Sequence, residues 1–142
     1  DVDHFKNVND TYGHQTGDLV LRHMVSLIKE QVRSCDIVAR YGGEEFVVAL
    51  PTTTLQAAHE IAERLRQAIC STTLNFNDKQ FRVSISIGMA SLRSLLTAQP
   101  PDAEFIGTTL LDRADKALYA AKKGGRNQVA VYTNPATYEF TE

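Results

Sequence analysis

Apolar residues recur along this chain with two different periods. In the longer stretches they return every three or four positions. Leu21, Met24 or Val25, Ile28 and Val32 follow that spacing and predict an amphipathic helix over 19–32, with Asp18 as its N-cap. Leu55, Ala58, Ile61, Ala62, Leu65 and Ile69 predict a second, capped by Thr54 and ending near Cys70. Leu111, Ala114, Ala117, Leu118 and Ala121 predict a third over 108–123, stopped by Gly124-Gly125. Phe5–Tyr12 is more polar and predicts a short helix ended by Gly13.

The shorter stretches read as strands. Phe81, Val83, Ile85, Ile87 and Met89 alternate with Arg82, Ser84, Ser86 and Gly88, the cleanest period of two in the chain. The small residues on its second face predict close packing by another element. Ile37-Val38-Ala39 and Phe46-Val47-Val48-Ala49-Leu50 flank Tyr41-Gly42-Gly43-Glu44-Glu45, which predicts a hairpin. A type I′ turn through Gly42-Gly43 requires φ > 0 at both glycines, and Pro51 stops the second strand. Asp1-Val2-Asp3 reads as a strand end and 129–132 as a last short strand. The remaining connections are a turn-like bridge over 75–80, a surface loop over 92–107 containing Pro100-Pro101, and a loose tail over 134–142. Helices alternating with strands, one pair of them a hairpin, predict an α/β (α+β) domain over 1–142 with a mixed central sheet surrounded by helices.

Composition narrows the function classes. The 142 residues suit one domain, and 43% hydrophobic and 23% charged residues are ordinary for a globular protein. A net charge of -2 gives no footing for a DNA or RNA surface. Cys35 and Cys70 fit neither a disulfide framework nor a metal spacing, so both read as free thiols of a reducing, cytoplasmic setting. No apolar run is long enough to span a bilayer, so no membrane contact is expected of this segment. Membrane attachment of a parent protein is left open. The chain opens on Asp1 without a methionine and reads as a piece of something longer.

Two carboxylate pairs suggest chemistry: Asp1/Asp3 at a strand end and Glu44/Glu45 at the hairpin turn. If these tips are neighbours, they repel unless a cation sits between them. An all-oxygen donor set favours Mg²⁺ or Mn²⁺ over zinc. Lys6, and Lys122 with Arg126 around a glycine pair, are suited to phosphate oxygens. This is equipment for metal-assisted phosphoryl or nucleotidyl transfer, without the glycine-rich loop of a Walker NTPase. Blander readings exist: the glutamates as solvated turn residues, the basic pair as counter-charges to a helix dipole. The conjunction favours a site.

The runs DVDHFKNVNDTYGHQTGD (1–18), YGGEEF (41–46), SIGMA (86–90) and ADKALYAAKKGGRN (114–127) together resemble the GGDEF domain of diguanylate cyclases, in its GGEEF form. The resemblance implies a fold akin to adenylate cyclase cores and polymerase palms. It implies condensation of two GTP into cyclic di-GMP with release of two pyrophosphates, each domain of a homodimer holding one GTP. Asp1, Glu44 and the Val2 carbonyl then ligate Mg²⁺. Asn9, Asp18 and His14 meet the guanine, a base whose donor pattern suits an acceptor carboxylate. Gly42, Gly43, Lys122 and Arg126 complete the substrate site. Lys6 stabilises developing charge, and the proton acceptor is Glu44 or Glu45. Arg33 and Asp36, with Arg64 on the next helix, resemble the family's RxxD inhibitory site for cyclic di-GMP; an ordinary surface ion pair is the competing reading. The family also has a helix and most of a strand before the position of Asp1. The alternatives to an active, product-inhibited cyclase are a silent domain acting as a GTP or cyclic di-GMP receptor, a structural dimerisation domain, or a different nucleotide cyclase.

Overall fold

The computed structural model describes residues 1–95 and 102–133. The first helix, α1, spans Phe5–Tyr12, as its pattern predicts. Gly13 ends it at φ 88 and donates its amide to Asn9 O at 2.8 Å. The next helix, α2, spans His14–Gln31 with Gly13 also as its N-cap. It therefore starts five residues before the expected Leu19, and Asp18 lies inside it rather than capping it. The early start comes from packing. Thr16 is fully buried and donates its hydroxyl to Tyr12 O at 2.8 Å. A Cβ on Gly17 would sit 2.0 Å from Asn9 Oδ1 and 3.0 Å from Phe5 Cζ, so a side chain here would have to displace both. Small residues that pack in this way leave no apolar period to read.

Strands β1 (Ile37–Arg40) and β2 (Phe46–Ala49) pair antiparallel, Arg40 opposite Phe46. The expected type I′ turn between them is absent. Neither Gly42 nor Gly43 has positive φ, and the connection is a wider loop over 41–45. Tyr41 and Gly42 both donate amides to Glu45 O, at 2.9 and 3.3 Å. Arg40 closes the loop from the side, donating Nε to Gly42 O at 3.2 Å and Nη2 to Gly43 O at 2.7 Å. The primed geometry lies elsewhere, at Asn77 (φ 47) and Asp78 (φ 60). These residues join β3 (Leu74–Phe76) to β4 (Lys79–Phe81) in an antiparallel hairpin, where the pattern gives only a bridge.

Helix α3 (Leu55–Ser71) follows β2 and is capped by Thr54, whose side chain accepts from Ala57 N. The alternating 81–89 run is one extended path serving successive partners. It closes β4, bridges Val2 at Ile85, and continues as β5 (Ile87–Met89). β5 pairs parallel with β6 (Val129–Val131). Parallel and antiparallel pairings are both present, as expected, but among the described residues the ladders form three two-stranded pieces, with an isolated bridge between Val2 and Ile85.

Helix α4 spans Ala103–Lys123, capped by Asp102, and so begins five residues before the expected Thr108. A 3₁₀ turn, Leu92–Leu95, occupies the start of the expected loop. The rest of that loop, 96–101, and the tail expected over 134–142 lie outside the described residues. Val2, Phe5, Val8, Val20, Met24, Ile28, Leu65, Ile69, Val83 and Ile85 belong to one core shared by α1, α2, α3 and the extended path. Among the described residues, no helix is long and apolar enough to cross a membrane.

The small face of the 81–89 run is pressed against α4. A Cβ on Gly88 would lie 2.1 Å from Ala114 O and 2.3 Å from Leu118 N, both immovable backbone. Gly107, on an exposed face of α4, has nothing within 4 Å of the same position. Gly88→Ala is therefore expected to cost about 1–3 kcal/mol by overpacking. Gly107→Ala should add about 0.5–1 kcal/mol of helix stability. Chemical denaturation of the two variants checks the opposite signs.

Candidate active site

The site is organised around the tip formed by residues 1–3. Val2 is buried in the core (1% exposed) and turns the two flanking aspartates toward polar neighbours. Backbone bonds fix the tip: Val2 N–H donates to Glu44 O at 3.3 Å, Asp3 N–H to Ser84 O at 2.9 Å, and Ser86 N–H to Asp1 O at 3.0 Å. The acidic hairpin loop is thereby joined to the aspartate tip, as the sequence anticipates. Glu44 and Glu45 are both half-buried. The Glu45 carboxylate folds back toward Gly42, where a Cβ would approach its Oε2 to 2.9 Å. Gly43 has open space on its Cβ side.

The basic helix end reaches the same place. Lys122 Nζ lies 3.0 Å from Asp1 Oδ1, and the Asp1 side chain is only 5% exposed. Lys122 is thus more than a counter-charge to the α4 dipole. The Asp1 backbone nitrogen donates to Ser86 O at 3.1 Å. Arg126 is exposed just beyond α4, in left-handed backbone at φ 63. Lys6 is exposed on the first turn of α1.

Asp3 does not join Asp1 as a free carboxylate. It accepts hydrogen bonds from Ser84 Oγ and Ser86 Oγ, each at 2.7 Å, and from Asn127 N–H at 3.0 Å. Three protein donors already occupy it, so of the Asp1/Asp3 pair Asp1 is the carboxylate without neutral donors of this kind among the described residues. What remains for a cation is the Asp1 carboxylate, the Val2 carbonyl and Glu44. Among the described residues, no three His, Cys, Asp or Glu side chains form a ready-made metal cage. That set fits Mg²⁺, which takes one or two carboxylates and completes its shell with substrate phosphates and water. A positive group, the Lys122 ammonium, already sits on this Asp1 oxygen.

The candidate base contacts lie at the α1–α2 elbow. Asn9 is in the last turn of α1, and its Oδ1 is buried with no donor among the described residues. Gly17 touches that amide. Asp18, the next residue, and His14, one turn earlier on α2, are both exposed. On the far side of the hairpin, Arg33 and Asp36 do not form the simple ion pair of the bland reading. Asp36 Oδ2 accepts from Arg33 N–H at 2.7 Å, while Arg33 Nη2 donates to Thr53 Oγ1 at 3.1 Å. Arg64 is exposed on α3.

The pattern gave no hint of Arg40 or Asn127. Arg40 shapes the acidic loop through carbonyls two and three residues ahead. Asn127 reaches Asp3 across the chain. In both cases the ligand is a backbone group, which leaves no spacing signature.

The family model described as "Diguanylate cyclase, GGDEF domain" matches residues 1–128. The chain belongs to the GGDEF family. It is 42% identical over 134 residues to "Diguanylate cyclase A" of Treponema denticola, covering 94% of this chain and 34% of that protein. It is 42% identical over 131 residues to the response regulator PleD of Caulobacter vibrioides, covering 91% of this chain and 27% of PleD. The chain thus spans about a third or less of these relatives. Among solved structures, the GGDEF domain of DgcB from Caulobacter crescentus, in complex with c-di-GMP, matches with TM-score 0.81 and 36% identity, over 93% of this chain and 74% of that one. The active GGEEF domain of a diguanylate cyclase from Vibrio cholerae matches with TM-score 0.79 and 30% identity, over 94% and 80%. For this GGDEF domain, the shared fold is established by these matches.

The Lys122–Asp1 contact generates a prediction. Lys122→Met leaves a nearly buried carboxylate without its partner and should cost about 1–3 kcal/mol. Adding Asp1→Asn to Lys122→Met should recover most of that loss, since the pair acts as a unit. Denaturation midpoints of the two single variants and the double variant check this.

Proposed function

We propose that this GGDEF domain is the catalytic unit of a diguanylate cyclase, joining two GTP into cyclic di-GMP across a pair of domains. One observation carries the reading: the aspartate tip, the acidic hairpin loop and the basic end of α4 meet, through Val2 N–H on Glu44 O and Lys122 on Asp1. The naming of its relatives as diguanylate cyclases supports it.

In this reading Asp1, Glu44 and the Val2 carbonyl hold Mg²⁺. The bound ion neutralises phosphate charge and makes pyrophosphate a better leaving group. Lys122 and Arg126 take the oxygens of the triphosphate, and Lys6 offsets charge that grows as the α-phosphorus is attacked. Asn9, His14 and Asp18 at the elbow hold the guanine edge. Gly43, open on its Cβ side, allows the loop backbone to lie close to substrate. Glu44 or Glu45 accepts the proton of the attacking 3′-hydroxyl. Each 3′-oxygen forms a bond to the α-phosphorus of the opposite GTP while the α–β bridging bond breaks. Each domain of the homodimer supplies one GTP, so the reaction requires two copies face to face.

The Arg33–Asp36 turn, with Arg64, is the inhibitory site for cyclic di-GMP. Asp36 pins the Arg33 backbone, and Arg33 keeps most of its guanidinium donors for a guanine or phosphate.

GTP turnover with Mg²⁺, read out as cyclic di-GMP, tests the proposal. Product should rise and then stall. Glu44→Ala should lower the rate by at least about 100-fold, as loss of charge stabilisation does elsewhere, while cyclic di-GMP still binds. Undiminished synthesis by this variant contradicts the assigned role. Arg33→Ala should abolish the stall, and an unchanged inhibition curve removes the inhibitory site. A wild-type protein that binds cyclic di-GMP but makes none is a receptor instead.

A further inference from the structure

Asp3 is 4% exposed and carries no role in the chemistry above. Burying a carboxylate is costly unless donors surround it. Here the donors come from far along the chain: Ser84 and Ser86 on the extended path, and the Asn127 amide beyond α4. Asn127 is gripped from its other side as well. Arg66 Nη1, on α3, donates to Asn127 O at 3.3 Å and to its Oδ1 at 2.9 Å. Arg66 is itself held by Glu63, with Nε and Nη2 both on Oε2 at 3.0 and 2.9 Å. That bond to Glu63 raises the Arg66 guanidinium above its ordinary pKa, so the donor stays charged.

The grip adds to bonds the turn already makes: Arg126 N–H donates to Ala121 O at 3.0 Å, and Gln128 Nε2 donates to the same oxygen at 2.7 Å. Arg126 (φ 63) and Asn127 (φ 46) are successive non-glycine residues in the left-handed region, directly after Gly124-Gly125. Such residues cost about 1 kcal/mol or more each and persist only where surrounding bonds over-determine them. The Ala121 carbonyl holds Arg126 from the helix side, and the Asp3 and Arg66 bonds supply the determination at Asn127. The turn they fix carries Arg126, and Lys122 lies one helical turn before it, on Asp1.

We propose that Asp3 and Arg66 are positioning residues. Through Asn127 they lock the left-handed turn, and so hold the Arg126–Lys122 arm against the Asp1 tip in the geometry that receives a nucleoside triphosphate. The inference rests on the triphosphate role given to Arg126 and Lys122 above. Asp3 touches neither substrate nor ion. It acts through the backbone that aims Arg126.

A double-mutant cycle on the intact protein tests this, reading the Kd of a GTP analogue with a non-hydrolysable α–β bridge in the presence of Mg²⁺. Asp3→Asn, Arg66→Ala and Arg126→Ala should each weaken the analogue, by about 3- to 100-fold for coupled neighbours. In the Arg126→Ala background, Asp3→Asn and Arg66→Ala should weaken it by no more than about twofold, because the group they aim is gone. A role in stability alone gives another result: lower melting temperature and fewer active sites, with an unchanged Kd in the folded fraction. That result, or an Arg66→Ala effect undiminished by Arg126→Ala, overturns the proposal. If Asp3→Asn does not fold, the Arg66 cycle decides alone, since Arg66 is not one of the buried core residues. A wild-type protein that fails to bind the analogue removes the triphosphate reading, and this inference with it. A wild-type protein that binds it while the cycle is additive removes only the inference.

Discussion

A carboxylate with 5% of its surface exposed needs donors around it, and the donor to Asp1 is Lys122. Much of the site follows from that requirement. Val2 is anchored in the core, so the tip cannot retreat toward solvent. The Asp1 and Asp3 side chains must be satisfied where they stand, and they are satisfied differently. Asp3 is closed by two hydroxyls and an amide. Asp1 is closed by an ammonium on a long, flexible stem. The first set of partners is held on backbone and short side chains. The second hangs on a flexible stem, and in the proposed reading a divalent cation would meet the same need and leave the lysine for phosphate.

In the proposed reading, that difference divides the surrounding structure into scaffold and machinery. Ser84, Ser86, Asn127 and Arg66 form a fixed frame behind the tip. Lys122, Glu44 and the open face of Gly43 stand in front of it. The loop that carries Glu44 is shaped by Arg40 rather than by its glycines. Gly42 leaves room for the Glu45 carboxylate. Gly43 has no structural partner demanding a glycine, which suits a backbone that substrate approaches closely.

Two helix ends were legible from a chemical signal. Gly13 ends α1 at the expected residue, and Thr54 caps α3 as expected. The early starts of α2 and α4 were hidden for different reasons. The first turn of α2 buries Thr16 and Gly17, which carry no apolar period, while Asp102 opens α4 inside a segment dominated by Pro100-Pro101. The turn at Gly42-Gly43 was misread because its conformation depends on the Arg40 side chain, not on glycine torsions. Of the site, the meeting of acidic tips with a basic helix end was legible from residue types, and the family from its motifs. The division of labour between Asp1 and Asp3 was not, since it depends on partners 81 to 124 residues away.

The most direct test of the exchangeable cation at Asp1 is a crystal structure of the protein with Mg²⁺ and the GTP analogue. The account predicts an ion on the Asp1 carboxylate, with Lys122 Nζ withdrawn from Asp1 Oδ1 and bonded to phosphate oxygens. A structure in which the triphosphate is bound while Lys122 stays on Asp1, with no ion there, would contradict it.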